Sequence, residues 1–117
     1  EDHGSQMYLF SNDNLLSENW KSHSNNPVIF DPFFSRNAGF IKDSSYHYRV
    51  FQRPGFNNYG ESLGIARIEK LNSESYEEIV DFEVLPDFFN ELHGTHTYSF
   101  NDGLIALDFL KISKTKN

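Results

Sequence analysis

Turn-forming residues interrupt this chain at short and roughly regular intervals, and this spacing limits the folds that it can adopt. Asn25-Asn26-Pro27, Asp31-Pro32 and Asn101-Asp102-Gly103 are three such signals, and short runs rich in apolar and aromatic residues lie between them. Asp-Gly between two strand-like runs is the strongest local signal for a β-hairpin. The pattern predicts about seven or eight short strands and little helix, which is typical of an all-β protein.

The middle of the chain carries the clearest strand pattern. Residues 38–41 and 46–52 flank a short polar loop, which predicts a hairpin, and residues 62–70 and 76–85 continue as strands. The last of these segments alternates well enough for a strand, which predicts that Ile79, Asp81 and Glu83 lie on one face of the sheet and Val80, Phe82 and Val84 on the other.

The remaining segments are shorter and more irregular. Pro and Asn/Asp signals bound them, and Asp87 occupies a helix-capping position. We predict strands at residues 7–10, 28–30, 94–100 and 104–112, a loop or one helical turn at 11–24 around Trp20, and one helical turn at 87–92.

The length of 117 residues corresponds to one domain or to a piece of one. We predict a single β domain of antiparallel strands over residues 7–112, as a small sandwich or barrel with at most short helical turns. Residues 1–6 are interpreted as a tag or linker remnant or as a disordered segment. Residues 113–117 are predicted to be a frayed polar tail.

Charge and cysteine content exclude several classes of function. The net charge is -7, and the basic residues are scattered except in the tail, whereas a nucleic-acid partner requires a clustered basic face. The absence of cysteine excludes disulfides and thiolate chemistry, and it fits a reducing compartment. No apolar stretch approaches the ~18 residues of a membrane span. We therefore predict a soluble, cytoplasmic protein with no nucleic-acid or membrane partner.

Residues 36–61 form a polar and aromatic block with the richest side-chain chemistry in the chain. Planar polar groups that donate to hydroxyls, combined with rings that stack on pyranose faces, suit a sugar ligand. The alternative is structural, with Arg36 and Arg49 paired to carboxylates and the Asn residues serving turns. The polar members of the block are Arg36, Asn37, His47, Arg49, Gln52, Arg53, Asn57, Asn58, Tyr59 and Glu61.

Two further groups of residues have the composition of catalytic or metal sites. His93 and His96 are three residues apart, but a zinc site needs three or four ligands, so a histidine held by the backbone is favoured. A pair of carboxylates between residues 77 and 83 would suit glycoside hydrolysis, although an acidic, solvated strand edge explains the same pattern. We predict no metal and no cofactor, and the catalytic residues stay unassigned.

An ordered series of short motifs resembles the five-bladed β-propeller domain of glycan enzymes. This is the propeller associated with inositolphosphorylceramide glycosyltransferases and, more remotely, with glycoside hydrolases of the fructosidase and arabinanase type. The resemblance spans roughly residues 8–108. It rests on Tyr8-Leu9-Phe10, Leu15-Leu16, Trp20, His23, Asn26-Pro27-Val28, Arg36-Asn37-Ala38-Gly39, Tyr48-Arg49, Gln52, Tyr59-Gly60-Glu61, Ile68, Tyr76-Glu77-Glu78 and His96-Thr97.

The resemblance implies a propeller-blade-like fragment, because a complete five-bladed propeller needs on the order of 200–300 residues. It implies a carbohydrate-binding module that does not catalyse a reaction alone, and a homo-oligomer or partner chain that covers its strand edges. The alternative is a small acidic structural or interaction protein without a small-molecule site. By resemblance, the ligand-binding residues are Arg36, Arg49, Gln52, Tyr59, Glu61 and His96.

Overall fold

The computed structural model describes residues 4–56 and 59–112. Every regular element in this part of the chain is a β-strand, and the strands pair antiparallel, which confirms the predicted all-β class. No helix in the described residues is long and apolar enough to cross a membrane. The strands are β1 (Gln6–Met7), β2 (Phe10–Ser11), β3 (Lys21–Ser22), β4 (Ile29–Phe30), β5 (Asn37–Lys42), β6 (His47–Arg53), β7 (Ser62–Leu71), β8 (Tyr76–Val84), β9 (Leu92–Gly94), β10 (Tyr98–Asn101), β11 (Leu104–Leu107) and β12 (Leu110–Lys111).

A four-stranded meander forms the centre of the fold. Its strands lie in the order β5-β6-β7-β8, so each strand pairs with its neighbour in sequence. The predicted β5–β6 hairpin is confirmed, because Lys42 lies opposite His47 across a polar loop. Val50 and Phe51 are consecutive on β6 and point to opposite faces, yet both are fully buried, as is Leu63 on β7, so the middle of the sheet is covered on both sides.

Small residues on β7 make room for large ones on β6. Gly64 lies opposite Phe51, and a β-carbon built on Gly64 would collide with the Phe51 ring. Ala66, which is fully buried, lies opposite Arg49. Phe34 packs against the Phe51 ring with the ring centroids 5.5 Å apart. The small residues of β7 therefore allow close packing around Phe51 on this face.

Two bulges interrupt the β7–β8 ladder and change which side chains share a face. The register shifts once between Ile65 and Ala66 and again between Ile68 and Lys70. Asp81 on β8 and Glu69 on β7 are the residues left without an opposite partner. As a result Ile79 and Phe82 both lie opposite residues of one β7 face, so the prediction that they occupy opposite faces is wrong.

Short two-stranded pairs precede the meander, and their connections explain why residues 7–10 do not form one strand. β1 pairs with β4 and β2 with β3. Between β1 and β2, the Asn26 side chain accepts from the Leu9 N–H at 2.8 Å and donates to the Leu9 carbonyl at 2.7 Å, and that carbonyl also accepts from the His23 N–H at 3.0 Å. A side-chain amide thus satisfies the Leu9 N–H that a neighbouring strand would otherwise bind. Residues 11–24 contain turns and β3 but no helical turn.

The C-terminal part folds back on itself twice. β10 and β11 form a hairpin whose turn, Asp102-Gly103, has positive φ angles of 48° and 79°, and this confirms the predicted tight turn. β9 pairs with β12. The predicted strands at 94–100 and 104–112 are each interrupted, because backbone groups near residues 95–97 bond to Asp108 rather than to a strand. The helical turn predicted at 87–92 is wrong, since the chain bends there and β9 begins at Leu92.

Candidate functional site

A small cavity opens between the start of the chain, the segment before β5 and the loop that precedes β7. Its volume is about 150 Å³. Arg36 contributes a cation, Gln52 an amide and Tyr59 a ring, while prolines and glycines form the rest of the wall. The lining residues are Gly4, Pro32, Arg36, Gln52, Pro54, Tyr59 and Gly60.

Backbone pairing brings Arg36 and Gln52 together. The N–H of Gln52, at the end of β6, donates to the carbonyl of Arg36 at 2.8 Å, which extends the β5–β6 hairpin by one bond. The Gln52 side chain is only 8% exposed. Its buried amide oxygen accepts no hydrogen bond from residues 4–56 or 59–112. A buried amide oxygen without a donor is costly, so this atom favours a ligand or water that donates to it.

Arg36 and Tyr59 form a stacked pair at the cavity mouth. The guanidinium carbon lies 4.9 Å from the centroid of the Tyr59 ring, within the range of a cation–π interaction. Tyr59 keeps 64% of its surface exposed. The pair therefore places an exposed aromatic surface beside a half-buried cation.

Gly60 connects this cavity to a second one. It has a φ of 67°, and a β-carbon there would lie 2.5 Å from the β-carbon of His96. Only glycine fits this backbone conformation and this contact without strain. The second cavity has a volume of about 320 Å³, and Tyr59 and Gly60 line both cavities. Its lining residues are Tyr59, Gly60, Gly94, Thr95, His96, Asp108, Phe109 and Leu110.

Asp108 orients His96 at the wall of the second cavity. One carboxylate oxygen of Asp108 pairs with Nδ1 of His96. The other oxygen accepts from the backbone N–H groups of His96 at 2.9 Å and Thr97 at 2.8 Å. The buried hydroxyl of Thr95 donates to the Asp108 carbonyl at 2.9 Å. The Tyr59 ring meets the imidazole edge to face at 5.5 Å.

The surroundings of Asp108 favour its charged form. Burial alone would raise the pKa of the Asp108 carboxyl, but the N–H groups of His96 and Thr97 outweigh this and hold the pKa below its ordinary value. With Nδ1 committed to the carboxylate, Nε2 of His96 is the ring nitrogen left for other partners. This is the orientation that a carboxylate gives to a hydrogen-bonding or proton-transferring histidine.

The structure brings some predicted site residues together and separates others. Arg36, Gln52 and Tyr59 share one cavity, and His96 adjoins it through Tyr59. Glu61 is exposed beside Gly55, immediately before β7 and outside both cavity linings. Asn57 and Asn58 lie outside the described residues.

Arg49 lies in the interior of the sheet rather than in a cavity wall. Its side chain reaches across β7 to Glu78, where Nε donates to Oε2 at 2.7 Å and Nη2 pairs with Oε1. It also donates to the Asn37 side chain at 3.0 Å and to the Phe34 carbonyl at 2.7 Å. These contacts match the structural interpretation of Arg49 that the sequence left open.

The carboxylates of β8 are all engaged by basic residues of β6 and β7. Glu78 is partly buried, and the Tyr76 hydroxyl donates to it alongside Arg49. No two of these carboxylates face each other across either cavity, because none of them lines one. The other pairs are Glu77 with Lys70, Asp81 with Arg67 and Glu83 with Arg53.

The described residues contain no group of three or more metal-ligating side chains at coordinating distance.

Asp108 is the site residue that the sequence interpretation missed. The signal for it is the hairpin register: Asn101 lies opposite Leu104 and Tyr98 opposite Leu107. One more step places Asp108 opposite Thr97, next to His96.

Comparison with known proteins found no match among protein-family models and no significant match among curated proteins or solved structures. The resemblance to propeller glycan enzymes therefore stays a prediction from the sequence motifs.

Proposed function

We propose that this chain is a carbohydrate-binding module, and that the cavity lined by Arg36, Gln52 and Tyr59 is its ligand site. The observation that carries the proposal is the buried amide oxygen of Gln52, which has no donor among the described residues, in a wall shared with a stacked Arg–Tyr pair. A sugar hydroxyl is a donor and an acceptor at once. It donates to Gln52 while another hydroxyl accepts from Arg36.

The aromatic surface supplies the second element of sugar recognition. An exposed ring offers a flat apolar surface to the C–H face of a pyranose. His96, at the adjoining cavity, provides a further polar contact for a ligand that extends past Tyr59. The four-stranded antiparallel meander has the strand number of a propeller blade, which is the architecture that the sequence motifs resemble.

The test is calorimetric titration of the chain with a panel of neutral and charged mono- and disaccharides. We expect Gln52→Met, which keeps the chain length and removes the amide, to weaken binding about three- to ten-fold. Tyr59→Ala should weaken it further. The matched control is Tyr46→Ala, because Arg67 stacks over Tyr46 at 5.0 Å in a similar pair away from the cavity. The proposal fails if no saccharide binds, or if both cavity variants bind like the parent chain.

A second candidate is an interaction protein that joins its own copies or a partner chain through uncovered strands. Within the described residues β8 pairs only with β7, and it carries exposed Ile79, Val80 and Phe82. The β10–β11 hairpin also exposes Leu104 and Ile105. Exposed edges with apolar side chains are places where another strand or sheet can dock.

Light scattering distinguishes this candidate. We expect a mass above that of one chain at micromolar concentration, and a return to the single-chain mass when Phe82→Lys places a charge on the edge strand. The control is Phe56→Lys, at a fully exposed position outside β8. A single-chain mass for the unaltered protein at this concentration would exclude stable self-association.

A further inference from the structure

We infer that the saccharide bound in the Arg36 cavity carries an anionic group, and that Arg36 receives it. This inference rests on the proposed carbohydrate function and specifies the chemical class of the sugar. Its basis is a difference between Arg36 and every other arginine of the chain.

The other arginines are each paired with carboxylates. Arg49 binds Glu78 inside the sheet, and Arg53 lies 3.1 Å from Glu83. Arg67 lies 2.7 Å from Glu69 and 3.7 Å from Asp81. In a chain with seventeen acidic and ten basic residues, such pairing is the expected state of an arginine.

Arg36 has no carboxylate within ion-pair distance among residues 4–56 and 59–112. Its guanidinium instead stacks on the Tyr59 ring and packs against the backbone at Gly4. Neither contact supplies a negative charge, because Tyr59 offers its ring and Gly4 its backbone. The guanidinium is therefore held beside the cavity without a carboxylate partner among the described residues.

Among the described residues, the lining of the cavity carries no negative charge. Arg36 is the charged member of the lining set, and the other polar side chains are Gln52 and Tyr59. The chain as a whole is acidic, so an anion gains little from the protein's overall field and depends on this local cation. A planar guanidinium matches a carboxylate or a phosphate with two parallel hydrogen bonds.

The position of Arg36 is also determined by the fold. Its carbonyl accepts from the Gln52 N–H, so the cation and the buried amide keep a fixed relation at the end of β6. An anionic sugar then meets both groups at once: its charged group binds the guanidinium, and a hydroxyl donates to the amide oxygen of Gln52. Neutral sugars lack the first contact.

The experiment compares three ligands that share one ring: glucose, glucuronate and glucose 6-phosphate, with acetate and inorganic phosphate as anions without a sugar. We expect at least one charged sugar to bind about ten-fold or more tightly than glucose, since hydrogen bonds between charged groups contribute that much. The preference should shrink at high salt. The tighter binding of the charged sugar relative to glucose should be absent in Arg36→Gln and partly retained in Arg36→Lys.

The matched control is Arg53→Gln, which removes the same charge from an arginine that is paired with Glu83 and lies outside the cavity lining. Circular dichroism and thermal unfolding check that each variant folds. Equal binding of glucose and both charged sugars would overturn this inference and leave the carbohydrate function intact. Binding of no sugar at all would overturn both. Acetate or phosphate binding as tightly as the charged sugars would overturn the assignment of a saccharide.

Discussion

Arg49 and Glu78 form an ion pair across β7, over the small side chain of Ala66. The pair is bidentate, and the side chains of Arg49 and Glu78 are only 7% and 10% exposed. Ala66 lies opposite Arg49 in the ladder, so it leaves the space through which the guanidinium reaches β8. The charge pair thus links β6 to β8, two strands that do not share backbone hydrogen bonds.

Removing one partner of this pair should destabilise the fold strongly. We expect Glu78→Ala to lower the free energy of unfolding by about 3 kcal/mol, because it leaves a buried guanidinium without its counter-charge. Urea denaturation measures the loss. The control is Glu77→Ala, which breaks an exposed pair with Lys70 and should cost less than about 1 kcal/mol. Similar losses in the two variants would contradict the structural role of the buried pair.

Tyr76 should make the fold sensitive to alkali. Burial, followed by the neighbouring Glu78 carboxylate, raises the pKa of the Tyr76 phenol well above its ordinary value. The unfolded chain releases this proton near pH 10, so stability that is present below about pH 10 is lost as the pH rises further. We expect Tyr76→Phe to have a lower free energy of unfolding than the parent at neutral pH. Urea denaturation above about pH 10 should show a smaller difference in this free energy between the two proteins. A constant difference would rule out this linkage.

Asp108 should contribute to stability in the opposite pH range. Its folded pKa is lowered, so its contribution is present above the ordinary carboxyl pKa of about 4 and is lost as the pH falls through the folded value. Asp108→Asn should therefore be less stable than the parent at pH 7 and approach it under acid conditions. Urea midpoints at several pH values between about 7 and 2 measure this. The prediction is refuted if the urea midpoints of parent and variant change with pH by the same amount.

Gly60 and Gly103 provide a matched test of steric fit at the site. Both have positive φ angles, but a β-carbon at Gly60 meets His96 whereas one at Gly103 meets nothing within 4 Å. Gly103→Ala should cost about 1 kcal/mol for the backbone conformation alone. Gly60→Ala should cost more and should also shift the NMR signals of the His96 ring. The prediction is wrong if both variants lose the same stability and His96 is unaffected.

A comparison of Thr95 with Thr97 tests how much a buried hydroxyl contributes to stability relative to an exposed one in the same segment. Thr95 is 1% exposed, and its hydroxyl bonds to the Asp108 carbonyl, so Thr95→Val leaves that acceptor without its partner. We expect a loss of about 1–2 kcal/mol in thermal or urea unfolding. Thr97→Val keeps the backbone N–H that bonds to Asp108 but removes a hydroxyl that also bonds to that carboxylate at an exposed position, so it should cost less than the Thr95 change, about 0.5 kcal/mol. Equal losses in the two variants would show that burial of the Thr95 hydroxyl adds nothing.

The sequence predicts the fold well where one strand follows the next through a short polar turn. The β5–β6 hairpin and the Asp102-Gly103 turn depend on local signals alone, and both are confirmed. The interruption at residues 95–97 depends on a side chain from the far side of a hairpin. The alternation of apolar and polar residues along this segment gives no information about that contact, so the sequence predicts a continuous strand there.

The site was predictable in composition and less so in geometry. Arg36, Gln52 and Tyr59 belong to a polar and aromatic block that suits a sugar, and the fold gathers them at one cavity. Arg49 has the same chemistry and lies in the same block, yet it turns to the face that holds Glu78. Which face a β6 side chain occupies follows from period-two alternation, but which face lines a cavity depends on the packing of distant segments.

The two bulges of the β7–β8 ladder cancel each other. Leu63 lies opposite Val84 and Leu71 opposite Tyr76 in the same register, although Asp81 is extra on one strand and Glu69 on the other. Deleting either residue alone would remove its own bulge and leave each paired residue opposite the same partner. Deleting both would restore an uninterrupted ladder with the same ends. This strand pair can therefore lose Asp81 or Glu69 independently, whereas deletion of a paired residue would shift the register and turn side chains to the wrong face.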